Sequence, residues 1–207
     1  MTLTKSKGSL FIVSAPSGAG KTTICKKIVA AMDNVKTSVS YTTRSPRQGE
    51  VDGEDYSFIS EKKFRGMIQK GAFVEWAEVH GNLYGTSRKR LEKIINDGFN
   101  VILDIDTQGA EQIRKTYGNG VFIFILPPSM TELRDRLEKR MSNSQEDMER
   151  RLKRASEEIR AYKMYDYVII NDLLKSSLSK FESIIVAESQ RSSKKDSAWI
   201  EKNIIRR

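Results

Sequence analysis

The sequence has only one cysteine and one histidine among its 207 residues. The lone thiol, Cys25, cannot form an internal disulfide, and its position on the apolar side of a predicted helix is typical of a small core residue. With His80 as the lone imidazole, we expect neither a histidine-based metal site nor a catalytic triad centred on histidine. We therefore expect the chemistry of the chain to use other side chains.

Long apolar stretches are missing as well. No run of apolar residues approaches the ~20 that a membrane-spanning helix needs, and the polar, basic start from Met1 to Gly8 has no signal-peptide pattern. These absences predict a cytoplasmic protein with no membrane partner. The length suits one α/β domain with inserted parts, and the oligomeric state stays open, a homo-oligomer included.

Acidic residues are too few to balance the basic ones, and the formal net charge is +9. The excess is divided between the segment up to Ser38 and the C-terminal tail, 191–207, whereas the middle of the chain is balanced. Without a single basic stripe, such a field suits free nucleotides as well as it suits DNA or RNA. We therefore expect nucleotide ligands and a solvated tail, and nucleic acid is the disfavoured partner.

The stretch from Ser14 to Thr23 carries the strongest signal. It follows the apolar run from Leu10 to Val13 and precedes a helical pattern, so it predicts a strand, a glycine-rich turn and a helix, which is the P-loop layout. The backbone N–H groups of such a turn, together with the N-terminus of its helix, hold a phosphate chain. The predicted phosphate-binding residues are Ser14, Ala15, Pro16, Ser17, Gly18, Ala19, Gly20, Lys21, Thr22 and Thr23.

Two side chains of this stretch have an expected chemistry. Lys21 would reach the β- and γ-phosphates of a nucleotide, and Thr22 would bind Mg²⁺. Ala15 stands where the usual P-loop pattern has its first glycine. The alternative is an ordinary glycine-rich turn that happens to carry a lysine, and the retained glycines at 18 and 20 disfavour it.

Apolar periodicity predicts an alternation of strands and helices along most of the chain. This order is typical of a P-loop NTPase-type α/β fold, in which a mostly parallel sheet has helices on both faces and ligands bind at the carboxyl ends of the strands. Strands are expected at 9–14, 35–40, 100–105, 121–126 and 166–170, and helices at 21–32, 87–96, 108–117 and 173–189.

Two regions interrupt this alternation. From 41 to 90, turn-forming residues alternate with short aromatic strands, which predicts a small β-rich insertion. After Pro127 and Pro128, which end a strand, two charged helices form a separate segment. The expected elements are strands at 56–59 and 73–79 with a helix at 60–70 in the insertion, and helices at 129–140 and 145–162 in the second region.

Arg44 and Arg47 lie three residues apart in a non-helical turn that contains proline. Two guanidinium groups so placed can clamp a phosphate, and Tyr56 could add a hydroxyl donor. The alternative is a solvated arginine loop.

Carboxylates lie within or at the end of apolar strands, where burial is costly unless a partner compensates. Glu75 and Asp106 could accept hydrogen bonds from the N1–H and amino groups of guanine, whereas adenine presents an acceptor at N1. Asp104 and Asp106 could instead serve the Mg²⁺ side of the P-loop, and a division of the two tasks between these aspartates is the third arrangement.

The two charged helices carry arginines among acidic neighbours, so ordinary surface ion pairs explain many of these residues. Arg136 and Arg140 are four residues apart and share one helix face. Any phosphate-facing members have to be identified within the set Arg134, Arg136, Arg140, Arg150, Arg151 and Arg154.

The sequence resembles guanylate kinases of the bacterial type over nearly the whole chain, from about residue 8 to 189. The resemblance is carried by the P-loop, the run from Thr42 to Glu50, Glu75 with Trp76, the run from Tyr84 to Thr86, and the run from Leu103 to Asp106. Ala15 looks like the bacterial variant of the P-loop. The three implied parts and the tail are a P-loop core at 1–38, 91–127 and 156–190, a GMP-binding insertion at 39–90, a lid at 128–155 and a basic C-terminal tail at 191–207.

The resemblance also implies a reaction and residue roles. The reaction is the transfer of the γ-phosphoryl group of Mg–ATP to GMP, giving ADP and GDP, with dGMP expected as a further acceptor. Arg44, Arg47, Tyr56 and Tyr84 would bind the GMP phosphate, and Ser40, Glu75, Thr86 and Asp106 would bind guanine. Arg136, Arg140 and Arg151 would reach the ATP phosphates, and Asn171 would lie near adenine. The implied catalytic set is Lys21, Arg44, Arg136, Arg140 and Arg151, with Thr22 and, less directly, Asp104 at the Mg²⁺ ion.

Three other functions share some of these features. A binding module with a decayed site would lack a working P-loop, which this chain retains. An NTPase stimulated by nucleic acid would use the basic ends of the chain and would bind in a salt-sensitive way. A kinase for another monophosphate would not direct Glu75 and Asp106 at the base.

Overall fold

The computed structural model describes residues 7–79, 81–140 and 145–206. His80 and the side chain of Arg140 lie outside this description. The strands are β1 (Leu10–Ser14), β2 (Val35–Thr37), β3 (Tyr41–Thr42), β4 (Ser57–Phe58), β5 (Phe73–Val79), β6 (Asn82–Ser87), β7 (Asn100–Asp104), β8 (Val121–Leu126) and β9 (Tyr167–Ile170). The helices are α1 (Lys21–Ala31), α2 (Glu61–Gln69), α3 (Arg88–Asn96), α4 (Thr107–Thr116), α5 (Met130–Arg140), α6 (Gln145–Ile159), α7 (Leu174–Ser189) and α8 (Ser197–Ile200).

The larger sheet has five parallel strands in the order β2-β7-β1-β8-β9. Its central strand, β1, is buried along its whole length, which is why it reads as an unbroken apolar run. Phe11 and Val13 pack with α1 and α7 on one face, and Leu10 and Ile12 pack with α3 and α4 on the other. The predicted parallel sheet with helices on both faces is confirmed.

Cys25 lies in the core between the sheet, α1 and α7. Burial raises the pKa of its thiol to about 12, so the thiolate is not populated at neutral pH. The prediction that this residue fills the core is confirmed.

The smaller sheet has four strands in the order β4-β3-β6-β5 and is mixed, with β3 parallel to β4 and antiparallel to β6. Phe64 of α2 packs with Phe73 and Leu83 to form a small core of its own. The mixed, β-rich insertion is therefore confirmed. The strand expected at 35–40 ends early, at Thr37, because the chain leaves the larger sheet there and enters the smaller one at β3.

The two charged helices pack against each other through Leu133 and Leu137 of α5 and Leu152 and Ala155 of α6. The second helix stops at Ile159 and continues as a 3-10 turn, Arg160–Met164, that leads into β9. Among the described residues, no helix is both long enough and apolar enough to span a membrane.

The tail begins with a 3-10 turn, Ser192–Lys194, and continues through α8 into a short π-helical segment, Glu201–Ile205. The ammonium group of Lys194 donates to the hydroxyl of Ser9 at 2.6 Å. The prediction of a solvated tail is wrong at this point, because this contact attaches the start of the tail to the amino-terminal end of β1.

Candidate active site

The glycine-rich turn lies between β1 and α1, at the carboxyl edge of the larger sheet. Gly18 and Gly20 have φ angles of +90° and +93°, a backbone conformation that L-amino acids other than glycine rarely adopt. Gly20 is also the N-cap of α1 and offers no side chain to the first N–H groups of that helix. The turn therefore presents backbone donors at a helix N-terminus, the arrangement that binds phosphate.

The two reactive side chains of the turn are both tied to the end of β7. The ammonium group of Lys21 lies 2.6 Å from a carboxylate oxygen of Asp104 and donates to the Ile105 carbonyl at 2.8 Å. The hydroxyl of Thr22 donates to the other carboxylate oxygen of Asp104 at 3.0 Å. Of the alternatives left open by the sequence, Asp104 thus belongs to the P-loop side.

A cavity of about 780 Å³ opens over the turn. Its lining from the predicted phosphate-binding residues is Ala15, Pro16, Ser17, Gly18, Gly20, Lys21 and Thr22. Ser14 and Ala19 are instead fully buried beneath the turn, and the exposed Thr23 is outside the lining. Arg150, Arg151, Arg154 and Glu158 of α6 line the opposite side.

The lid arginines divide into two groups. Arg151 lines the cavity as expected, but Arg136 donates to the backbone carbonyl of Asn171 at 3.0 Å and to Glu132 at 2.8 Å, and it is not part of the lining. Arg150 and Arg154, to which the resemblance gave no role, do line the cavity, and each pairs with an acidic residue on its own helix. Charge alternation along α6 concealed them, since the sequence does not tell which turn of the helix faces the P-loop.

Asn171 is buried directly beneath the glycine-rich turn. Its amide donates to the Ala19 carbonyl at 2.7 Å and accepts from the Ser177 hydroxyl at 2.9 Å. The expected position near adenine stays a prediction, whereas the contact with the P-loop is one that sequence reasoning missed.

The arginine turn before β4 is held by a carboxylate that the sequence reasoning did not single out. Arg44 donates to both oxygens of Glu50, at 2.8 and 3.0 Å, and the backbone N–H of Arg47 donates to the same carboxylate at 2.7 Å. This pairing raises the pKa of Arg44 and lowers that of Glu50. Only the spacing of the acid, three residues after Arg47, could have indicated it.

Aromatic rings surround this ion pair. The guanidinium of Arg44 lies 5.6 Å from the ring centre of Tyr56, and the rings of Tyr56 and Tyr84 meet edge to face at 5.9 Å. Arg47 is exposed. Three of the four residues expected at the GMP phosphate, Arg44, Tyr56 and Tyr84, therefore lie side by side.

The residues expected to bind guanine form a chain of hydrogen bonds in the smaller sheet. Thr86 of β6 donates to Glu75 of β5 at 2.5 Å, so the 3.4 Å contact between the hydroxyls of Ser40 and Thr86 has Ser40 as its donor. Glu75 is 7% exposed. Burial raises the pKa of its carboxyl to about 6, against the Thr86 hydrogen bond that lowers it, and the charge of Asp106 raises it further.

Asp106 completes this group from the larger sheet. It caps α4 by accepting from the Gly109 N–H at 2.8 Å. A Cβ atom added to Gly109 would lie 3.3 Å from an oxygen of Glu75 and 3.5 Å from the same Asp106 oxygen. The two carboxylates therefore converge on one point, where neither is balanced by a cation in any contact described.

Within the described ranges, no group of three or more histidine, cysteine, aspartate or glutamate side chains is arranged to hold a metal ion by itself. The oxygen atoms of Thr22 and Asp104 above the turn are of the type that Mg²⁺ prefers, and Mg²⁺ commonly takes its remaining ligands from water and substrate phosphates.

A protein-family model described as guanylate kinase matches residues 7–188. The chain belongs to the guanylate kinase family. The activity of the family is the transfer of a phosphoryl group from ATP to GMP, and the chain is accordingly a nucleoside monophosphate kinase. The resemblance stated from the motifs is confirmed.

Individual relatives agree with this assignment. The chain is 54% identical to a guanylate kinase of Geobacter metallireducens over 90% of this chain and 92% of that protein. It is 46% identical to a guanylate kinase of Clostridioides difficile over 95% and 96% of the two chains. The crystal structure of guanylate kinase from Anaplasma phagocytophilum superposes with a TM-score of 0.76 at 35% identity, covering 98% of this chain and 97% of that one.

Proposed function

We propose that this guanylate kinase moves the γ-phosphoryl group of Mg–ATP onto GMP, and onto dGMP, between two sites joined by residues 104–106. The observation that carries the proposal is the division of labour at this short segment. Asp104 holds Lys21 and Thr22 of the phosphate cradle, whereas Asp106 lies with Glu75 at the candidate base pocket. A donor site and an acceptor site thus share one strand end.

The donor side would work mainly through fixed positive charge. The loop amides and Lys21 bind the β- and γ-phosphates, and Arg151 approaches from α6 with Arg150 and Arg154 beside it. We keep Arg136 and Arg140 as lid arginines that reach the phosphates on closure. Each correctly placed charge of this kind contributes about 3 kcal/mol to the stabilisation of the transition state.

Thr22 and Asp104 fit a magnesium ion because a hydroxyl oxygen and a carboxylate oxygen, the ligand types that Mg²⁺ prefers, lie 3.0 Å apart beside the turn. The ion, when bound, neutralises charge that develops on the phosphate oxygens. Lys21 pairs with the same carboxylate, so binding of the nucleotide would move its ammonium group from Asp104 to the phosphates.

The acceptor phosphate would be bound by Arg44, Arg47, Tyr56 and Tyr84. An oxygen of GMP attacks the γ-phosphorus, the bond from that phosphorus to the bridging oxygen breaks, and ADP leaves with the electron pair. The phosphate monoester has a second pKa of about 6, so it is already largely ionised at neutral pH and needs no general base. Catalysis then rests on alignment and charge neutralisation.

Guanine would be selected by Glu75 and Asp106, with Thr86 and Ser40 holding Glu75 in place. The two carboxylates accept from the N1–H and amino groups of guanine, whereas adenine would leave a buried acceptor facing an acceptor. None of these contacts involves the ribose 2′-hydroxyl, which is why we include dGMP.

The three parts are proposed to close on each other during the reaction, the insertion at 39–90 and the lid at 128–155 moving against the core. Closure would exclude water, which otherwise competes for the phosphoryl group. A cytoplasmic location and the absence of a nucleic-acid partner stay predictions from the sequence, and the oligomeric state stays open.

Initial rates of ADP release test the proposal, with Mg–ATP as donor and GMP, dGMP, AMP, UMP or CMP as acceptor. We expect GMP and dGMP to be turned over at least 100-fold more efficiently than AMP, on the order expected when a site leaves a buried polar group unpaired. A reaction without acceptor measures background hydrolysis. Comparable rates with AMP and GMP would refute the assignment of Glu75 and Asp106 to the base.

A further inference from the structure

Two buried polar side chains lie beneath the P-loop, and neither is given a role in the phosphoryl-transfer step described above. Asn171 follows β9 and is 7% exposed, and Ser177, in the first half of α7, is fully buried. The Asn171 amide donates to the Ala19 carbonyl at 2.7 Å and accepts from the Ser177 hydroxyl at 2.9 Å. A helical serine usually returns its hydroxyl to a carbonyl of its own helix, so this outward contact calls for an explanation.

The chemistry of the groups fixes the direction of both hydrogen bonds. A backbone carbonyl only accepts, so the NH₂ group of Asn171 must face Ala19. The amide oxygen then faces α7 and can only accept, which requires the Ser177 hydroxyl as donor. Ser177 therefore decides which way round the amide is held.

The hydrogen bond from Asn171 reaches the P-loop at its most constrained point. Ala19 is fully buried and lies between the two glycines whose φ angles are positive, Gly18 and Gly20. A Cβ atom on Gly20 would lie only 2.5 Å from the Asn171 amide nitrogen. The glycine at position 20 is thus required by its backbone angle and by the amide packed against it.

Asn171 is itself fixed to the sheet. Its backbone N–H donates to the Leu126 carbonyl at 2.8 Å, and its carbonyl accepts from Arg136 of α5 at 3.0 Å. One residue therefore connects the P-loop, the edge of the larger sheet and an arginine of the lid.

We infer that Asn171 and Ser177 are positioning residues for the phosphate cradle. In a trans peptide unit the carbonyl and the next N–H point in opposite directions. Holding the Ala19 carbonyl down toward Asn171 therefore turns the Gly20 N–H away from the core, toward the position that the donor phosphates occupy in the proposed function. Ser177 acts at one remove by holding the amide of Asn171.

The test compares Ser177→Ala with Ser179→Ala, a change at an exposed serine on the same helix. Loss of the Ser177 hydroxyl leaves the buried amide oxygen unpaired, so the amide can turn over and release the Ala19 carbonyl. We expect the affinity for Mg–ADP, measured by calorimetry without an acceptor, to fall about tenfold, the order of one lost buried hydrogen bond. Affinity for GMP should change less than twofold, and Ser179→Ala should change neither.

A second pair of variants keeps the test decisive if Ser177→Ala fails to fold. Ser177→Cys keeps the volume with a weaker donor and should show the same selective loss in smaller degree, and Asn171→Ala should show it in larger degree. A parallel loss of Mg–ADP and GMP affinity in folded variants would mean a merely structural role, and unchanged Mg–ADP affinity would likewise overturn the inference. Because wild-type binding of Mg–ADP does not depend on which acceptor is used, failure of the proposed acceptor specificity would be distinguishable.

Discussion

The donor and acceptor halves of this guanylate kinase are built on different principles. The P-loop rests on a five-stranded sheet with core clusters on both faces, and the groups that it would offer to phosphate are mainly backbone N–H groups of a turn held by buried neighbours such as Asn171. The acceptor half rests on a small sheet with a three-residue buried core, and several of the groups that it would offer to GMP are charged side chains. We therefore expect the donor half to depend on the shape of its turn together with the charge of Lys21, and the acceptor half to depend on the charge and protonation of its side chains.

Removing the charge of Lys21 is expected to have the largest effect, because it is the one charged side chain that the donor half places within its turn. Lys21→Met should lower kcat roughly 1000-fold, the order found for charges that stabilise phosphoryl transfer. GMP affinity measured by calorimetry should stay within twofold, and the circular dichroism spectrum should not change. Near-normal turnover in a folded variant would contradict the role of the P-loop.

Glu75→Gln tests the charge dependence of the acceptor half. The amide keeps the shape of the side chain but turns one acceptor into a donor that faces the donors of guanine. We expect KM for GMP to rise about 30-fold, the order of a lost hydrogen bond to a charged group, and KM for ATP to stay within twofold. An equal rise for both nucleotides would indicate a folding defect instead.

The pH dependence of GMP binding distinguishes the acceptor half from the donor half, and its expected effect is smaller than that of Glu75→Gln. The folded pKa of Glu75 is raised to about 6, so the buried carboxyl becomes protonated as the pH falls below 6 and stops accepting from guanine. Affinity for GMP should fall up to about tenfold per pH unit there, whereas Mg–ADP affinity should not follow it. The phosphate of GMP titrates in the same range, so Glu75→Gln is the reference, and identical profiles for the two proteins would contradict the prediction.

The raised pKa of Glu75 also makes the free energy of unfolding depend on pH. Without GMP the folded state holds the Glu75 proton more tightly than the unfolded state, so this group costs about 2 kcal/mol, an amount incurred as the pH rises from 4.5 to about 6. Urea denaturation at pH 5 and pH 7 should show this slope in the wild type and a shallower one in Glu75→Gln.

Glu50→Gln should have the smallest effect. The amide cannot accept from both Arg44 and the Arg47 N–H as a carboxylate does, so the arginine turn loses its preferred arrangement. Because the pair is close to solvent, we expect KM for GMP to rise only about fivefold, with kcat changed less. Glu61→Gln, which breaks an exposed pair with Arg65 in the same insertion, is the matched control and should have no effect on either constant.

Local pattern was enough for much of this architecture. The apolar run of β1 and the glycines at 18 and 20 identify a P-loop because the burial and the backbone conformation at each position restrict which residue can stand there. Contacts between distant residues were not accessible in the same way. The amide of Asn171 meets Ala19 across 152 positions of the chain, and the pairing of β8 with both β1 and β9 brings them together.

The arginines of the lid show a second limit. Which arginines face the cavity depends on the rotation of α5 and α6 about their axes. Leu133 and Leu137 of α5 pack close to Gly18, and α6 packs in turn against these leucines. Residue spacing alone does not show how either helix is rotated. The resemblance implied that Arg136 reaches the ATP phosphates; in this structure it donates to the Asn171 carbonyl, and its movement to the phosphates on closure stays a prediction.

The segment from Asp104 to Asp106 would limit the distance between the two proposed nucleotide sites. Two residues of chain span at most about 7 Å, so covalent geometry sets an upper limit on the distance between Asp104 and Asp106. The insertion and the lid can move without changing it, because neither contributes to it. Inserting a single residue here would keep every binding residue in the sequence and would still change the distance between the proposed donor and acceptor sites.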